Sequence, residues 1–389
     1  MLAQRLNLFI MLMLLAVVGC AVPTALAQLE QQDIFVRGKA GYHTYRIPSL
    51  LVTTKGTLLA FCEGRKHSAS DTGDIDLLLK RSADGGRTWG QQQVVWDDGP
   101  NTCGNPCPVL DETAGVVWLL MTHNPGDLTE RQTQAKRVSG GRTVWVTRSE
   151  DDGKSWSAPS NITSSAKDPA WGWYATGPGV GIQIQHGPHK GRMIIPCDHS
   201  YPSPSASPGS RSTERGAHVI YSDDHGRTWR LGGTVRPKMN ECQIAELADG
   251  EGGLLLSLRN YCGGYRRAQS ASSDGGQTWT PPQLHAQLPD PVCQASIVRY
   301  NWPDKHEPGR LLFSNPASTN RQNLTVRVSH DDGKSWERAK TLHPNAAAYS
   351  CLAVLPDHSI GCLYERGKKN PYEEITFARF PLSWLGEKE

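Results

Sequence analysis

Short runs of apolar or alternating residues make up most of the chain, and turn-forming residues separate them. Residues 75–81, 142–148 and 324–328 are examples, rich in leucine, valine and threonine. Runs of this length, bounded by Gly, Pro, Asp and Asn, predict β-strands. No long stretch has the 3.6-residue period of an amphipathic helix. The pattern therefore predicts an all-β fold.

An octapeptide with the consensus Ser-x-Asp-x-Gly-x-(Thr/Ser)-Trp follows several of these runs. Its five copies begin at Ser82, Ser149, Ser222, Ser272 and Ser329. Asp and Ser side chains can accept backbone N–H groups locally, and Gly supplies a positive φ, so each copy predicts a hairpin turn. The Trp that ends the copy can pack against its own hairpin. One invariant carboxylate per turn is too few for a calcium loop.

The octapeptides divide the chain into six sets of strands. The sets cover about 45–96, 105–165, 171–235, 240–285, 293–342 and 349–380. The sixth set has three clear strands and no octapeptide, and residues 33–37 at the N-terminus can supply its missing outer strand. Such an arrangement closes a ring without an exposed edge. We therefore predict a six-bladed β-propeller of four-stranded antiparallel sheets, with the ring closed by the N-terminal strand.

Residues 1–27 resemble an export signal, with Arg5, an apolar run over 8–18, and Ala25-Leu-Ala27 before Gln28. We predict a signal peptide over 1–27, a single propeller domain over 28–389, and a secreted or periplasmic protein. Lipidation at Cys20 is the alternative processing. No later segment is apolar and long enough to span a bilayer.

Composition excludes some partners and cofactors. A net charge of +3 gives no support for a nucleic-acid or membrane partner, and we expect a monomer without a cofactor. Cys103 and Cys107 lack the second ligand pair of a zinc site, so a disulfide or two packed thiols is expected. The scattered His186, His189 and His199 show no metal-ligand spacing.

Unusual polar residues recur at one end of the predicted sheets. In an antiparallel sheet the start of strand one, the end of strand two and the start of strand three share an edge, and the octapeptides lie on the opposite edge. Charged residues and one tyrosine occupy the first edge: Arg46, Asp71, Glu241, Arg259, Arg321, Tyr349 and Glu365. Three guanidinium groups, three carboxyl groups and a phenol predict an anion-binding site with acid–base groups.

Several positions have rivals. Asp74 and Asp76 lie near Asp71, Arg266 and Arg267 lie near Arg259, and Arg327 lies near Arg321 but is expected to face outward. Glu365 could instead pair with Arg366 at the surface. Further candidates for contact with the site are Arg65, Tyr174, Asn105 and His123.

The chain resembles the exo-α-sialidases (neuraminidases) of the bacterial and mammalian type. The resemblance rests on Arg46-Ile-Pro48, on the octapeptides, which match the aspartate boxes of that family, on the order of the arginines, and on the segment 171–179. It implies removal of sialic acid from sialylated glycans, glycoproteins or glycolipids. It assigns Arg46, Arg259 and Arg321 to the substrate carboxylate, Tyr349 as nucleophile, Glu241 as its base, Asp71 as acid/base, and Glu365 as the support of Arg46.

The implied chemistry is consistent with the residue types. Sialic acid carries its carboxylate on the anomeric carbon, so a carboxylate nucleophile would meet an anion, whereas a tyrosine avoids this repulsion. A phenol with a pKa of about 10 needs an adjacent base. Two alternatives stay open: an enzyme that acts on a related keto-sugar acid or transfers the sialyl group, and a non-catalytic carbohydrate-binding propeller. The last should lack Tyr349 or Glu241.

Overall fold

A computed structural model describes residues 28–134, 141–205, 207 and 212–387. The described part is all-β, as predicted, with two short α-helices and one 3-10 helix. The predicted signal peptide lies outside the described residues. No helix within them combines the length and the apolar character needed to cross a membrane.

The strands are short and follow one another along the chain. In order they are β1 (Glu30–Val36), β2 (Thr44–Val52), β3 (Leu58–Arg65), β4 (Ile75–Ser82), β5 (Gln93–Trp96), β6 (Thr102–Asp111), β7 (Val116–Asn124), β8 (Thr143–Ser149), β9 (Ser160–Asn161), β10 (Tyr174–Thr176), β11 (Ile182–Gln183), β12 (Met193–Pro202), β13 (Thr213–Ser222), β14 (Arg230–Val235), β15 (Met239–Glu246), β16 (Leu254–Asn260), β17 (Arg266–Ser272), β18 (Gln283–Pro289), β19 (Ser296–Asn301), β20 (Arg310–Pro316), β21 (Gln322–Ser329), β22 (Arg338–Val354), β23 (Ile360–Arg366) and β24 (Glu374–Phe380). The helices are α1 (Glu130–Gln134), α2 (Thr163–Ala166) and the 3-10 helix Leu382–Leu385.

These strands form several antiparallel sheets. One sheet joins β2–β5 to β6–β9 through a single parallel pairing of Ile75 with Thr102. The second contains β10–β14 and the third β15–β18. The fourth runs β1-β24-β23-β22-β21-β20-β19, so the long β22 takes part in two successive strand groups. Pairing of β1 with β24 supplies the N-terminal outer strand that the sequence predicted.

The octapeptides form the predicted turns, with the same hydrogen bonds in all five copies. In the second copy, Ser149 Oγ donates to Asp151 Oδ1 at 2.9 Å and accepts from Gly153 N at 2.8 Å. Gly153 has φ +76°, which glycine adopts without strain. The Ser155 hydroxyl donates to Asp151 Oδ2 and lowers the pKa of that carboxyl to about 2. Each turn is therefore a self-contained hydrogen-bonded unit.

The tryptophans of two turns contact aromatic rings of a neighbouring strand group. The rings of Trp89 and Phe377 lie 5.2 Å apart, and those of Trp156 and Phe61 lie 5.7 Å apart. The glycine of the first turn also lies against Phe377, with no room for a Cβ. These turns therefore join strand groups as well as closing hairpins.

Two other expectations are decided by burial. Arg327 is buried and donates to Asn315 Oδ1 at 3.2 Å, so the prediction that it faces outward is wrong. Cys103 and Cys107 are buried free thiols rather than a disulfide, and burial raises the pKa of both. Every cysteine that the structure describes is a free thiol.

Candidate active site

One cavity of about 260 Å³ opens where strand ends from several sheets meet. Seven of the eight residues predicted for the site line it: Arg46, Arg65, Asp71, Glu241, Arg259, Arg321 and Tyr349. The eighth, Glu365, is fully buried and bonded to Arg46. The structure thus brings together residues that are up to about 300 positions apart in the sequence.

Bulges in β2 and β22, each the first strand of its group, turn backbone and side chains toward this cavity. The pairing register shifts between Arg46 and Ser49 in β2, and between Ala347 and Ser350 in β22. Ile47 has φ 61°, a strained value for a β-branched residue, and its N–H donates to Glu365 Oε1 at 2.9 Å. A bulge re-aims side chains and frees a backbone donor for such a contact.

Tyr349 lies at the centre of the polar network. Its hydroxyl donates to Glu241 Oε1 at 2.5 Å and accepts from Arg259 Nη1 at 3.1 Å. The same Arg259 nitrogen donates to Glu241 Oε2 at 2.7 Å. Burial, followed by the negative charge of Glu241, raises the pKa of Tyr349 well above its ordinary value despite the opposing guanidinium groups. Tyr349 is therefore a neutral phenol held against a carboxylate.

Glu365 connects Arg46 to the backbone beneath Tyr349. Its Oε1 accepts from Arg46 Nε at 2.7 Å, and its Oε2 accepts from the Tyr349 backbone N–H at 3.1 Å. Neither side chain of the ion pair is more than 6% exposed. The alternative surface pairing is not adopted, because Arg366 pairs with Asp33 and Glu374 instead.

Arg46 and Arg321 complete a cationic wall around the tyrosine. Their guanidinium carbons lie 5.0 Å and 5.5 Å from the centre of the Tyr349 ring. Tyr372 lies between them, since Arg46 stacks over its ring at 4.0 Å and Arg321 donates to its hydroxyl. The three guanidinium groups predicted from the sequence therefore all contact Tyr349.

Asp71 is the most exposed of the predicted residues, with 52% of its side chain accessible. Its Oδ1 lies 2.7 Å from Arg65 Nη2 and 3.8 Å from Arg46 Nη1. Burial opposes ionisation, but the guanidinium groups of Arg65 and Arg46 outweigh it and lower the pKa of Asp71. Arg65 is itself held by Glu63, with Nη2 2.7 Å from Oε2.

Most rival residues have partners elsewhere. Asp74 and Asp76 pair with Lys66. Arg267 pairs with the buried Asp290 at 3.6 Å. Among the further candidates, Asn105 lines the cavity, whereas His123 bonds to Asp98 and the Tyr174 hydroxyl donates to Cys197 Sγ.

About half of the residues that line the cavity were not predicted from the sequence. The additional residues are Ile47, Glu63, Glu130, Arg142, Trp173, Asp198, Arg215, Asn240, Tyr261 and Tyr372. Arg142 obeys the same edge rule because it precedes the third strand of its group, and Asp198 lies in the second half of a second strand. The edge rule applied to every strand group would have found Arg142, whereas Asp198 lies four residues before the end of its strand.

A larger cavity of about 730 Å³ lies elsewhere, bordered by Tyr300, Trp302 and Arg379. Two of its charged residues are held in ion pairs, Arg379 with Asp357 and Glu307 with Arg310. The smaller cavity is the better catalytic candidate because acid, base and cations converge there. Such a constellation is suited to binding an anionic ligand.

The chain is similar to several known proteins. Residues 56–362 match the BNR repeat-like domain family. A sialidase of Micromonospora viridifaciens is 37% identical over 95% of this chain and 57% of its own length. An exo-alpha-sialidase of Aspergillus fumigatus is 33% identical over 89% of this chain and 86% of its own. A solved Hadza microbial sialidase superposes with a TM-score of 0.79 at 29% identity, over 91% of this chain and 69% of that one.

The chain belongs to the sialidase family. It spans most of the fungal relative but little more than half of the Micromonospora sialidase. The resemblance to sialidases that Arg46-Ile-Pro48 and the aspartate boxes indicated is thereby confirmed.

Proposed function

We propose that this protein is a retaining exo-α-sialidase that hydrolyses terminal α-linked sialic acids of glycoconjugates. One observation carries the proposal: the Tyr349 hydroxyl lies between Glu241 and Arg259, and Arg46 and Arg321 flank the same ring. A neutral nucleophile, its base and a cationic wall are the groups that this reaction requires.

Arg46, Arg259 and Arg321 would hold the substrate carboxylate. Guanidinium groups bind carboxylates through charge-assisted and often bidentate hydrogen bonds. Because all three contact Tyr349, a carboxylate bound by them would place the anomeric carbon beside the phenol oxygen. Glu365 keeps Arg46 in position for this contact.

Tyr349 would attack the anomeric carbon while Glu241 accepts its proton. The raised pKa of Tyr349 means that the free enzyme holds a phenol rather than a phenolate. Proton transfer to Glu241 during attack removes the need for a free phenolate. The bond from tyrosine oxygen to the anomeric carbon forms as the bond to the leaving oxygen breaks.

Asp71 would donate a proton to the leaving oxygen and later take one from the attacking water. The lowered pKa of Asp71 does not by itself suit an acid. A substrate carboxylate bound at Arg46 would offset the cationic field, and a nearby negative charge raises a carboxyl pKa. Water then displaces Tyr349, and two inversions give net retention.

The fold that supports this site would be a closed six-bladed propeller. The inner strands contact one another in a cyclic order that favours closure: β2 with β6, β6 with β12, β12 with β15, β15 with β19, β19 with β22, and β22 with β2. Pairing of β1 with β24 favours it as well.

Export of the protein would bring it to its substrates. The charged, apolar and small-residue segments of 1–27 support removal of a signal peptide after Ala27, and a periplasmic or secreted monomer acting on sialylated glycans. Mass spectrometry of the mature protein tests this. A lipidated Cys20 at the N-terminus would support the alternative processing.

Release of a fluorogenic aryl group from an α-sialoside tests the activity. No release between mildly acidic and neutral pH would refute an enzyme and favour a carbohydrate-binding propeller. NMR of the first product tests retention, since the α-anomer should appear before mutarotation. If added lactose yields sialyllactose as the product and free sialic acid is not released, the enzyme transfers the sialyl group.

A further inference from the structure

The loop that connects β3 to β4 carries Asp71 at its exposed tip. Residues 67–71 are exposed, whereas Arg65, the last residue of β3, is 2% exposed. Arg65 Nη1 donates to Ala69 O at 2.7 Å, and Arg65 Nη2 lies 2.7 Å from Asp71 Oδ1. The tip therefore rests on a strand end, and the position that it takes there depends on how the two ends of the loop are held.

Lys66 closes the base of this loop, which comprises residues 66–74. Lys66 N donates to Asp74 O at 3.1 Å, and Lys66 Nζ lies 2.9 Å from Asp74 Oδ1. The same ammonium group lies 3.1 Å from Asp76 Oδ2 and 3.5 Å from Asp97 Oδ2. Asp97 belongs to the connection from β5 to β6. Lys66 therefore ties the first residue of the loop to its last residue, to β4 and to the next connection.

The three carboxylates around Lys66 need its charge. Asp76 is 1% exposed, and the Tyr42 hydroxyl donates to its Oδ2 at 2.6 Å. Burial opposes a charge on Lys66, but its contacts with Asp74 and Asp76 outweigh burial and raise the pKa of Lys66, so the ammonium group stays charged. Without this cation the carboxylates would repel one another. Because Asp76 is fixed in a strand and Asp74 is in the loop, the loop end would move.

A movement of Asp74 is passed to the segment that holds Asp71. Gly73, the neighbour of Asp74, is joined to β6 by two hydrogen bonds: Gly73 N donates to Thr102 Oγ1 at 3.1 Å, and Thr102 Oγ1 donates to Gly73 O at 2.9 Å. One residue separates Gly73 from Asp71. A proton donor must lie within hydrogen-bond reach of its acceptor, so a shift of about 1 Å impairs the transfer.

We propose that Lys66 is a positioning residue for Asp71: by closing loop 66–74, it holds the Asp71 carboxyl where this group can reach the leaving oxygen. The proposal rests on the proposed function, in which Asp71 is the acid/base. Lys66 is not among the described residues that line the active-site cavity, so it acts through the loop rather than on the substrate.

Kinetics with two leaving groups test the proposal. Lys66→Met keeps a long apolar stem and removes the cation. We expect it to lower kcat/KM about tenfold on sialyllactose, whose leaving alkoxide needs a proton, and less than about twofold on an aryl sialoside. Lys80→Met is the matched control. Lys80 is a partly buried lysine of the same strand group whose Nζ donates to Ile34 O at 2.6 Å, and its loss should leave the ratio of the two activities unchanged.

A double variant separates positioning from a general loss of stability. If Lys66 acts through Asp71, Lys66→Met/Asp71→Asn should be no less active on sialyllactose than Asp71→Asn alone. Losses that multiply would overturn the proposal. Lys66→Arg keeps the charge and several donors, so it should recover most of the activity on sialyllactose. Asp74→Asn keeps an oxygen acceptor for Lys66 and should not change the ratio in the same way.

Two further results for Lys66→Met would overturn the proposal: equal losses on both substrates, or no loss on either. If Lys66→Met does not fold, Lys66→Gln replaces it, because it keeps one donor for the carboxylates and should show the same change of ratio in smaller measure. A wild type inactive on both substrates, or Asp71→Asn without dependence on the leaving group, would refute the proposed function of Asp71 and the proposal with it. If Asp71→Asn shows that dependence and Lys66→Met does not, only the positioning role is refuted.

Discussion

Glu365 accepts hydrogen bonds from Arg46 Nε and from the backbone N–H of Tyr349, and so joins two residues that are far apart in the chain. Removal of a carboxylate from a buried ion pair leaves the partner charge uncompensated. We predict that Glu365→Ala lowers the free energy of unfolding by about 3 kcal/mol and raises KM. Urea unfolding and steady-state kinetics measure the two effects.

The conservative variant Glu365→Gln separates these contributions. It keeps an acceptor for one N–H but loses the charge, so it should recover stability more than substrate affinity. Equal stability of Glu365→Ala and the wild type would contradict the supporting role.

Glu241 should act as the base for Tyr349, whose hydroxyl lies 2.5 Å away. We predict that Glu241→Gln lowers kcat by about 10²- to 10⁴-fold, the usual contribution of a general base. Binding of free sialic acid, measured by calorimetry, should change far less. A variant with near-normal kcat would refute the assignment.

Asp71 should matter most when the leaving group is poor. We predict that Asp71→Asn loses activity strongly on sialyllactose, whose leaving alkoxide needs a proton, and weakly on an aryl sialoside, whose phenolate does not. The ratio of kcat/KM for the two substrates is the measurement. Asp74→Asn is the matched control, and an equal loss of both activities would exclude a proton donor at Asp71.

Two buried histidines should make stability depend on pH. His199 and His218 are buried with their Nδ1 atoms 3.0 Å apart, and burial lowers the pKa of both well below the ordinary value. The unfolded chain therefore binds protons below about pH 6.5 while the native state does not. Stability should be full above that pH and fall below it, by about 1.4 kcal/mol per pH unit for each histidine.

Urea unfolding between pH 7.5 and 5.5 tests this, with a His199→Asn/His218→Asn double variant as the comparison. The variant should be less stable at pH 7.5 but lose less on acidification. Parallel pH dependence of the two proteins would show that other groups are responsible.

The aspartate boxes should support the fold without entering the chemistry. Asp151 accepts from Ser149, Ser155 and the backbone of its own turn. We predict that Asp151→Ala lowers the melting temperature by a few degrees and leaves KM unchanged, as thermal unfolding and kinetics can measure. A raised KM at unchanged stability would be inconsistent with a purely structural turn.

The local features of this protein could be predicted well from sequence. The octapeptides are turns because Ser, Asp and Gly interact within eight residues, and these contacts need no distant partner. The strand count followed from the turns, and the edge rule then selected Arg46, Tyr349 and the other predicted site residues.

Features that depend on distant packing could not be predicted in this way. The predicted outward face of Arg327 was wrong because its strand is buried on both faces. The contacts of Trp89 and Trp156 with a neighbouring group were not predicted. Asp198 went unnoticed because it belongs to no motif and to no strand end. Only the tertiary structure shows that its Oδ2 and the Nη1 of Arg142 are buried without a partner.

The sequence by itself determined the β-strands, the repeated turns, the family and the chemical types at the site, because these depend on local hydrogen bonding and on residue identity. Only the tertiary structure decided which atoms meet. The 2.5 Å contact of Tyr349 with Glu241 and the ion pair of Glu365 with Arg46 join strands from different groups. The ion pair of Asp71 with Arg65 joins a loop to a strand end within one group. Such contacts are set by bulges and by packing between sheets, and these depend on every strand group at once.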